Sequence, residues 1–179
     1  GNLVKLGSLG LAKNKLSGTI PASLGKLVNL FTFNLSDNQL TGSIPDELGN
    51  FTTAWGFYLS DNRLSGNIPS SFAKLKKAKY LYLDHNFLTG SIPSGITNFP
   101  DLEYLDFSYN KLNGEIPGSL GNHIKLSVLD LSYNKLSGSI PTGFNNLKQL
   151  TKLYLYHNNL TGNIPVEICS LPKLHDLAL

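Results

Sequence analysis

Aromatic and acidic residues recur in this sequence at intervals of 24, and these residue types are well suited to binding chemistry. Tyrosine and tryptophan supply large, rigid contact area, and carboxylates attract basic or hydroxyl-bearing groups. The spacing favours a contact surface, whose candidate residues are Trp55, Tyr58, Tyr80, Tyr82, Asp84, Tyr104, Asp106 and Asp130. The alternative interpretation is that tyrosine simply suits β-strands and that the aspartates belong to the consensus of the recurring segment.

The same carboxylates do not assemble into a recognisable catalytic site. Asp106 and Asp130 are close enough for like charges to raise a pKa, but no histidine or nucleophile accompanies them. His85 and His157 share a column three intervals apart, roughly 14 Å, which is too far for both to bind one metal ion. No phosphate-binding loop, hydrolase elbow or zinc motif occurs in the sequence. The sequence therefore predicts a non-enzymatic protein with no catalytic residues, no cofactor and no metal site.

A column of asparagines with a strict 24-residue period underlies this spacing. In every repeat, Leu follows the asparagine by two residues, Gly by four, and Ile-Pro by six and seven. Such a period indicates a stack of similar units, so we expect one elongated domain over 1–179, with seven repeats and a partial eighth. The asparagines are Asn14, Asn38, Asn62, Asn86, Asn110, Asn134 and Asn158.

Apolar residues in each repeat predict the elements that position these columns. The residues eight, five and three before each asparagine are apolar, and alternation of the last two with polar residues is typical of a short strand with one buried face. Eight such strands, parallel and in register, would form a sheet about 35 Å long. A second short strand, Leu-x-Gly-x-Ile, should follow, and the return segment is long enough only for a helical or 3₁₀ turn. Because these turns are wider than a strand, the sheet should line the concave side.

The recurring asparagine is expected to close the turn after the main strand. A carboxamide both donates and accepts hydrogen bonds, so stacked asparagines can satisfy backbone groups of their own repeat and of the neighbouring one. Losing one of these side chains should cost on the order of 1–3 kcal/mol.

The frame Leu-x-x-Leu-x-Leu-x-x-Asn-x-Leu-x-Gly-x-Ile-Pro-x-x-Leu-x-x-Leu resembles the plant-specific class of leucine-rich repeat. This class occurs in plant receptor-like kinases, receptor-like proteins and polygalacturonase inhibitors, and the Ile-Pro element with segments such as Leu40-Thr41-Gly42 separates it from other leucine-rich repeats. The resemblance implies a right-handed solenoid of β/α type, with a parallel sheet on the concave face and 3₁₀ turns and second short strands on the other faces. It also implies an extracellular or cell-surface receptor segment, a protein or peptide ligand on the concave face, and a co-receptor as a further partner.

Three other interpretations stay open at this point. A polygalacturonase inhibitor would also use its concave face, although a basic face would be expected there. Ectodomains of this type carry cysteine-paired caps, which this sequence lacks, so an engineered or assembly-embedded array without its own ligand is a second alternative. A remote third is ice binding by regular hydroxyl columns, which contain Ser17, Thr41, Ser65, Thr89, Ser137 and Thr161 beside Thr19, Ser43, Ser91 and Ser139.

Composition argues against nucleic-acid and membrane partners for this segment. The formal net charge is +3, and Arg63 is the single arginine among 15 basic residues, which disfavours a phosphate-tracking surface. No apolar stretch approaches the ~20 residues of a membrane span. Cys169 stands alone and cannot form an internal disulfide. Leucines such as Leu3 and Leu177 would leave apolar edges at the two ends of the stack and predict end-to-end self-association.

Three glycosylation sequons occur, at Asn34, Asn50 and Asn159. Asn34 is expected on the inner face, where a glycan would close the first repeats to a large partner. Asn159 is expected beside the asparagine column on an exposed turn, which makes it a plausible acceptor.

Three residues interrupt the apolar columns. Ala54 and Ala78 occupy positions at which other repeats have Leu, and His123 occupies one at which they have Leu or Phe. We expect His123 to be partly exposed on the outer turn. The aromatic residues expected to fill the space beside the two alanines are Phe51, Phe57 and Phe72.

Overall fold

Each repeat begins with a three-residue strand, and in the interior repeats its central side chain is buried in the core. In the strand Tyr80–Tyr82, Leu81 is buried between two half-buried tyrosines, because successive side chains of a strand point to opposite faces. The computed structural model describes residues 3–97 and 99–179, and strands are numbered here in chain order. The main strands are β1 (Ser8–Gly10), β3 (Thr32–Asn34), β5 (Gly56–Tyr58), β7 (Tyr80–Tyr82), β9 (Tyr104–Asp106), β11 (Val128–Asp130), β13 (Lys152–Tyr154) and β15 (Asp176–Ala178).

These main strands form one eight-stranded parallel sheet, in which each strand pairs with the strands of the adjacent repeats. Residues 24 apart are register partners, as Leu81 and Leu105 show. Columns of the sequence therefore become rows across the sheet. The prediction of eight parallel strands in register is confirmed.

A second short strand, of two to five residues, follows in each of the seven repeats. These strands form a four-stranded parallel sheet of β2, β4, β6 and β8, and a three-stranded one of β10, β12 and β14. The glycine of the Leu-x-Gly-x-Ile segment has a positive φ throughout, for example 74° at Gly90, where an L side chain would be strained. The strands are β2 (Ser17–Thr19), β4 (Gln39–Ser43), β6 (Arg63–Asn67), β8 (Phe87–Thr89), β10 (Asn113–Glu115), β12 (Lys135–Gly138) and β14 (Asn159–Leu160).

Short 3₁₀ turns carry the chain back to the next strand, as the sequence predicted. Most begin directly after the proline of the Ile-Pro pair, whose φ near −65° suits this position, as at Pro117 with φ −61°. Successive turns approach so closely that a Cβ at Gly121 would lie 2.2 Å from the carbonyl oxygen of Gly143. The turns are Ala22–Lys26, Asp46–Asn50, Ser70–Lys74, Ser94–Thr97, Gly118–Asn122, Thr142–Asn146 and Val166–Ser170. Within the described ranges, no helix has the length and apolarity needed to cross a membrane.

The asparagine column forms a ladder of hydrogen bonds along the stack. Asn110 donates from Nδ2 to the carbonyl of Leu83 in the preceding repeat, and to the carbonyls of Phe107 and Ser108 in its own, at 3.0 to 3.2 Å. Its Oδ1 accepts from the backbone N–H of Leu88 at 2.9 Å. Each interior asparagine therefore connects two repeats through both ends of its carboxamide.

One apolar core runs along the whole stack, and aromatic rings occupy it near the two alanines. Ala54 and Ala78 are buried. The rings of Phe57 and Phe72 lie 4.9 Å apart, and Phe51 and Phe57 lie 6.3 Å apart, between centroids. All three predicted rings are buried and pack against one another in this region.

The prediction that His123 is partly exposed is wrong. Its exposed fraction is 1%, its Nδ1 lies 3.0 Å from the carbonyl oxygen of Phe99, and its Nε2 has no hydrogen-bond partner among the described residues. Burial lowers the pKa of the imidazole and favours its neutral form. The position lies in the same column as the buried Leu27 and Leu75, so the backbone of the repeat directs this side chain inward whatever its polarity.

Candidate ligand-binding face

Tyrosines on three neighbouring strands occupy the centre of the concave face. Tyr58 and Tyr82 are register partners whose rings stack with centroids 5.5 Å apart and planes 16° apart. Tyr80 and Tyr104 are partners one strand further on, with centroids 5.3 Å apart. The glycine at position 56 makes room for this arrangement, because a Cβ there would lie 2.7 Å from the ring of Tyr58. We call these four half-buried tyrosines the tyrosine strip.

Carboxylates lie along the side of the tyrosine strip at which the strands end. The Oδ1 of Asp106 accepts hydrogen bonds from the backbone N–H of Ser108 at 3.0 Å and from its hydroxyl at 2.7 Å. Burial, with the nearby charge of Asp84, raises the pKa of Asp106 to about 6. Burial also raises the pKa of Asp130 on the next strand. These carboxylates are therefore only partly solvated, and a cationic partner would stabilise their charged forms.

A hollow of about 490 Å³ lies between the tyrosine strip and these carboxylates. Within the described residues its lining contains no lysine or arginine, and the Asp84 carboxylate pairs instead with Nδ1 of His85 at 3.1 Å and accepts a hydrogen bond from Ser60. We call it the acidic hollow, and it is lined by Ser36, Asp37, Tyr58, Ser60, Asp61, Tyr80, Tyr82, Asp84 and Asp106.

Metal-ligating atoms converge at one place beside the acidic hollow. One ligand atom from each of Asp61, Asp84 and His85 lies within 4.8 Å of the others. Two carboxylates and an imidazole are a donor set that a divalent transition metal accepts. This group was not predicted from the sequence, in which the column of His85 and His157 drew attention, because the neighbours of His85 come from its own repeat and the preceding one. Asp61 and His85 are exposed, and the imidazole already bonds to Asp84.

A second concavity lies at the opposite side of the sheet, where the strands begin. It encloses about 590 Å³, and the rings of Phe31 and Trp55 reach it with exposed fractions of 54% and 41%. Trp55 also meets the edge of Tyr80, with centroids 5.9 Å apart. We call it the aromatic cleft, and it is lined by Phe31, Thr53, Trp55, Lys77, Lys79, Tyr80 and Asp101.

Four rings stack face to face along the column that precedes the asparagine ladder. The centroid distances are 4.2 Å from His85 to Tyr109, 4.0 Å from Tyr109 to Tyr133 and 4.3 Å from Tyr133 to His157. Every residue described in this column has a positive φ, between 50° and 58°, although none is glycine. Because the backbone has the same left-handed conformation at each of these positions, the side chains point in the same direction. The stacking of the four rings therefore follows from the geometry of the repeat.

The structure divides the sequence-predicted contact residues between these features. Trp55 lines the aromatic cleft, Tyr104 completes the tyrosine strip, and Asp130 lies one strand beyond the acidic hollow. Tyr80 lies between the two concavities and lines both. The remaining predicted residues that line the acidic hollow are Tyr58, Tyr82, Asp84 and Asp106.

Several residues of this face were missed from the sequence. Phe31, Lys77 and Lys79 were not predicted as contacts, although all three line the aromatic cleft. A signal was present, because Phe31 and Trp55 are aromatic in a column where the next repeats have Lys79 and Glu103. A large ring at a position that the core does not require indicates a surface role.

The three sequons differ in accessibility. Asn34 lies in β3 on the concave face, is half-buried, and accepts a hydrogen bond from the backbone N–H of Ser36 at 3.0 Å. Asn50 ends a 3₁₀ turn and is exposed, and Asn159 is exposed in β14. The side chains of Asn50 and Asn159 are therefore more accessible for glycosylation than that of Asn34.

Comparison with known proteins places these features in a family context. The family model described as leucine rich repeat matches residues 56–112, 79–136 and 124–179, and a second model of the same description matches residues 5–27 and 29–51. A search of curated proteins finds no significant match.

Similar solved structures include two receptor ectodomains of Arabidopsis thaliana. The leucine-rich repeat ectodomain of the receptor kinase GASSHO1/SCHENGEN3, in complex with CASPARIAN STRIP INTEGRITY FACTOR 2, is 40% identical with a TM-score of 0.97, over 98% of this chain and 21% of that one. The receptor kinase HAESA, in complex with the peptide hormone IDA and the co-receptor SERK1, is 43% identical with a TM-score of 0.94, over 98% and 29%. This chain thus spans less than a third of either ectodomain.

A plant ice-binding protein is also similar. It is 29% identical with a TM-score of 0.80, and the match covers 96% of this chain and 63% of that protein. The same repeat architecture thus occurs in solved structures of different function.

Proposed function

This chain belongs to the leucine-rich repeat family, with repeats of the plant type, and from that premise we propose that it is a ligand-binding segment of a plant receptor ectodomain. Its ligand is a protein or peptide that lies across the concave face. An extracellular location and a co-receptor as second partner are part of the same proposal. It is supported by the similar ectodomains of GASSHO1/SCHENGEN3 and HAESA, which were solved with a named factor and a peptide hormone, respectively.

The tyrosine strip is the observation that carries this proposal. Four rings on β5, β7 and β9 pair across the strands, and none is needed to fill the core behind the sheet. Tyrosine supplies large contact area at a small entropic cost and is enriched where binding energy concentrates. The strip lies between the aromatic cleft and the acidic hollow, so an extended chain crossing the sheet would meet three chemically different surfaces in succession.

Selection from a randomised library of 12-residue peptides, displayed on phage, tests the proposal. Peptides selected on the intact chain should bind the variant Tyr82→Ala/Tyr104→Ala at least about tenfold more weakly, since each ring is a central contact. The matched control is Phe87→Ala, which removes an exposed ring from β8 in the four-stranded sheet outside the concave face. If the selected peptides bind the double variant as tightly as the parent, or lose affinity only with Phe87→Ala, the concave face is not the binding surface.

Ice binding is the second candidate function, and one specific observation favours it. Exposed hydroxyls face one another between β2, β4 and β6, since Thr19 is the register partner of Thr41, and Ser43 that of Ser65. A similar solved structure is that of a plant ice-binding protein. Asn67 and Glu115 interrupt the columns of hydroxyls. Thermal hysteresis of the purified chain, measured against Thr41→Lys, tests this function. Hysteresis that disappears in the variant would establish it, and no hysteresis in the parent chain would exclude it.

A further inference from the structure

The aromatic cleft has an architecture that the repeat itself does not require. Phe31 and Trp55 occupy the position seven residues before the ladder asparagine, where the five later repeats carry Lys, Glu, Ser, Thr and His. A polar residue suffices there, so neither ring is needed for the core. The ring of Phe31 lies over Gly7 of the first repeat, at which an added Cβ would meet it at 3.3 Å. Two rings are thus held in place while about half of each is exposed.

The size and walls of the cleft suit a side chain together with its backbone. A volume of about 590 Å³ lies within the range of roughly 300–1,000 Å³ that small-ligand pockets occupy. Trp55 and Tyr80 meet edge to face, which fixes one wall, and Phe31 supplies the other. Rigid aromatic walls of this kind favour an aromatic or large aliphatic side chain, which would stack between them.

The net charge around the cleft is positive, and its charged side chains are not all paired with a group of opposite charge. Asp101 is paired with Lys125 at 2.6 Å, which lowers the pKa of its carboxyl group. Glu103 is shared between Lys79 at 3.5 Å and the hydroxyl of Tyr80 at 3.2 Å. Lys77 forms no salt bridge within the part of the chain that the structure describes, although its side chain lines the cleft. One ammonium group is therefore free and a second is loosely held, so an anion is the complementary group.

We propose that the aromatic cleft binds an extended peptide segment in which an aromatic or large aliphatic residue is followed by aspartate or glutamate. The apolar side chain lies between Phe31 and Trp55, and the carboxylate lies between Lys77 and Lys79. This inference rests on the proposed function, because it names the chemistry of one end of the ligand. The acidic hollow lies at the opposite side of the tyrosine strip. The lysines of the cleft therefore attract the acidic end of the peptide, and the carboxylates of the hollow repel it.

The chain contains a direct reporter for this site, because Trp55 is its only tryptophan. Three synthetic peptides serve as probes: acetyl-Gly-Phe-Asp-Gly-amide, the same peptide with Asn for Asp, and the same peptide with Ala for Phe. The first should shift the emission of Trp55 as it covers the indole. It should bind about threefold to tenfold more tightly than either of the others, as expected for a rim charge pair or one small apolar contact.

Charge reversal provides a test whose expected result includes a gain of affinity, which a misfolded variant would not show. In Lys77→Glu/Lys79→Glu, the preference for the Asp peptide over the Asn peptide should disappear, and a peptide with Lys in place of Asp should now bind more tightly than in the parent chain. Phe31→Ala should abolish the preference for Phe over Ala. The control is the charge reversal Lys111→Glu. The ammonium group of Lys111 lies over the ring of Phe87, away from the concave face.

The outcomes separate this inference from the proposed function. If the three probes change the emission of Trp55 equally or not at all, while library peptides still depend on Tyr82 and Tyr104, the cleft inference is overturned and the concave face remains the binding surface. If the probes bind in the expected order and charge reversal inverts the preference, the chemistry of the cleft is established.

Discussion

Burial sets the charge state of individual residues on the concave face, and Asp106 shows the consequence for stability. Its pKa is raised to about 6, chiefly by burial, whereas an unfolded aspartate titrates near 3.9. Between about pH 4 and pH 6 the native chain therefore binds more protons than the unfolded one, so this residue makes stability fall as pH rises through that window.

We predict that Asp106→Asn stabilises the protein at about pH 7.5 by about 1–2 kcal/mol and has little effect near pH 4. The amide keeps an oxygen that can accept the hydrogen bonds from Ser108 and removes the desolvated charge. Urea denaturation at the two pH values measures the difference. Asp46→Asn, at an exposed aspartate, is the matched control. Destabilisation at both pH values would contradict this account.

His123 gives a second prediction at the same scale, with the opposite pH dependence. Because burial lowers its pKa, the unfolded imidazole takes up a proton near pH 6.5 before the native one does, and stability falls as pH drops below that value. We expect His123→Leu to raise the free energy of unfolding by about 1 kcal/mol at neutral pH, since it removes a buried unpartnered Nε2. The carbonyl of Phe99 keeps its bond from the N–H of Leu102.

A pH series of urea denaturation, from about pH 5 to about pH 8, measures the His123→Leu effect. The gain should grow toward the acid end. His175→Gln, which changes an exposed histidine just before the last strand, should leave the profile unchanged. A variant less stable than the parent throughout would show that the bond to Phe99 outweighs the unpartnered nitrogen.

At the scale of elements, the asparagine ladder holds neighbouring strands and turns in register. The side chains of interior asparagines bond to two repeats, whereas among the described residues the side chain of Asn14 bonds only to the carbonyls of Leu11 and Ala12 in its own turn. Asn14 is also exposed, whereas Asn110 is buried. The ladder asparagines therefore contribute unequally to the stability of the stack.

We predict that Asn110→Ala costs about 3 kcal/mol and Asn14→Ala at most about 1 kcal/mol. In the first variant the buried N–H of Leu88 loses its side-chain partner, and the carbonyl of Leu83 keeps only the hydrogen bond from Nδ2 of Asn86. Equilibrium urea denaturation of the two variants provides the comparison, and Asn14→Ala acts as the matched control. Equal losses would show that the bonds between repeats contribute nothing beyond closing the local turn.

At the scale of the whole molecule, strand pairing in the main sheet connects neighbouring repeats. Within the part of the chain that the structure describes, each main strand pairs only with the main strands of the adjacent repeats, so β9 has two partners while β1 and β15 have one each. The core also thins toward the ends, since Leu105 is fully buried and Leu177 is 41% exposed. Stability should therefore be graded along the stack.

Hydrogen exchange followed by mass spectrometry tests this gradient on the chain of residues 1–179. We expect the slowest amide exchange in β7 and β9 and the fastest in β1 and β15, because local opening at an end breaks half as many strand pairings. Uniform protection from end to end would instead indicate a single cooperative unit and contradict a nearest-neighbour description.

Repetition made much of this architecture predictable. Residues 24 apart have the same backbone conformation and lie in the same environment, buried or exposed. The apolar positions of β7 therefore predict those of β9. The same reasoning accounts for the error at His123, where the residue type was given more weight than the column. Three residues of the aromatic cleft were not predicted as contacts, because the period does not show which non-repeating side chains of neighbouring repeats meet. These residues are Phe31, Lys77 and Lys79.

The amino-acid sequence by itself determined the period, the parallel register, the asparagine ladder positions and the side of the sheet on which the tyrosines lie, because these depend on backbone geometry that every repeat shares. Only the tertiary structure decided which non-repeating side chains meet. Phe31, Trp55 and Lys77 belong to three different repeats, and Lys77 lies in a different column from the two rings, so their convergence in one cleft depends on side-chain rotamers and on the space left at Gly7. Such contacts arise where the repeat is broken, so no periodic pattern encodes them.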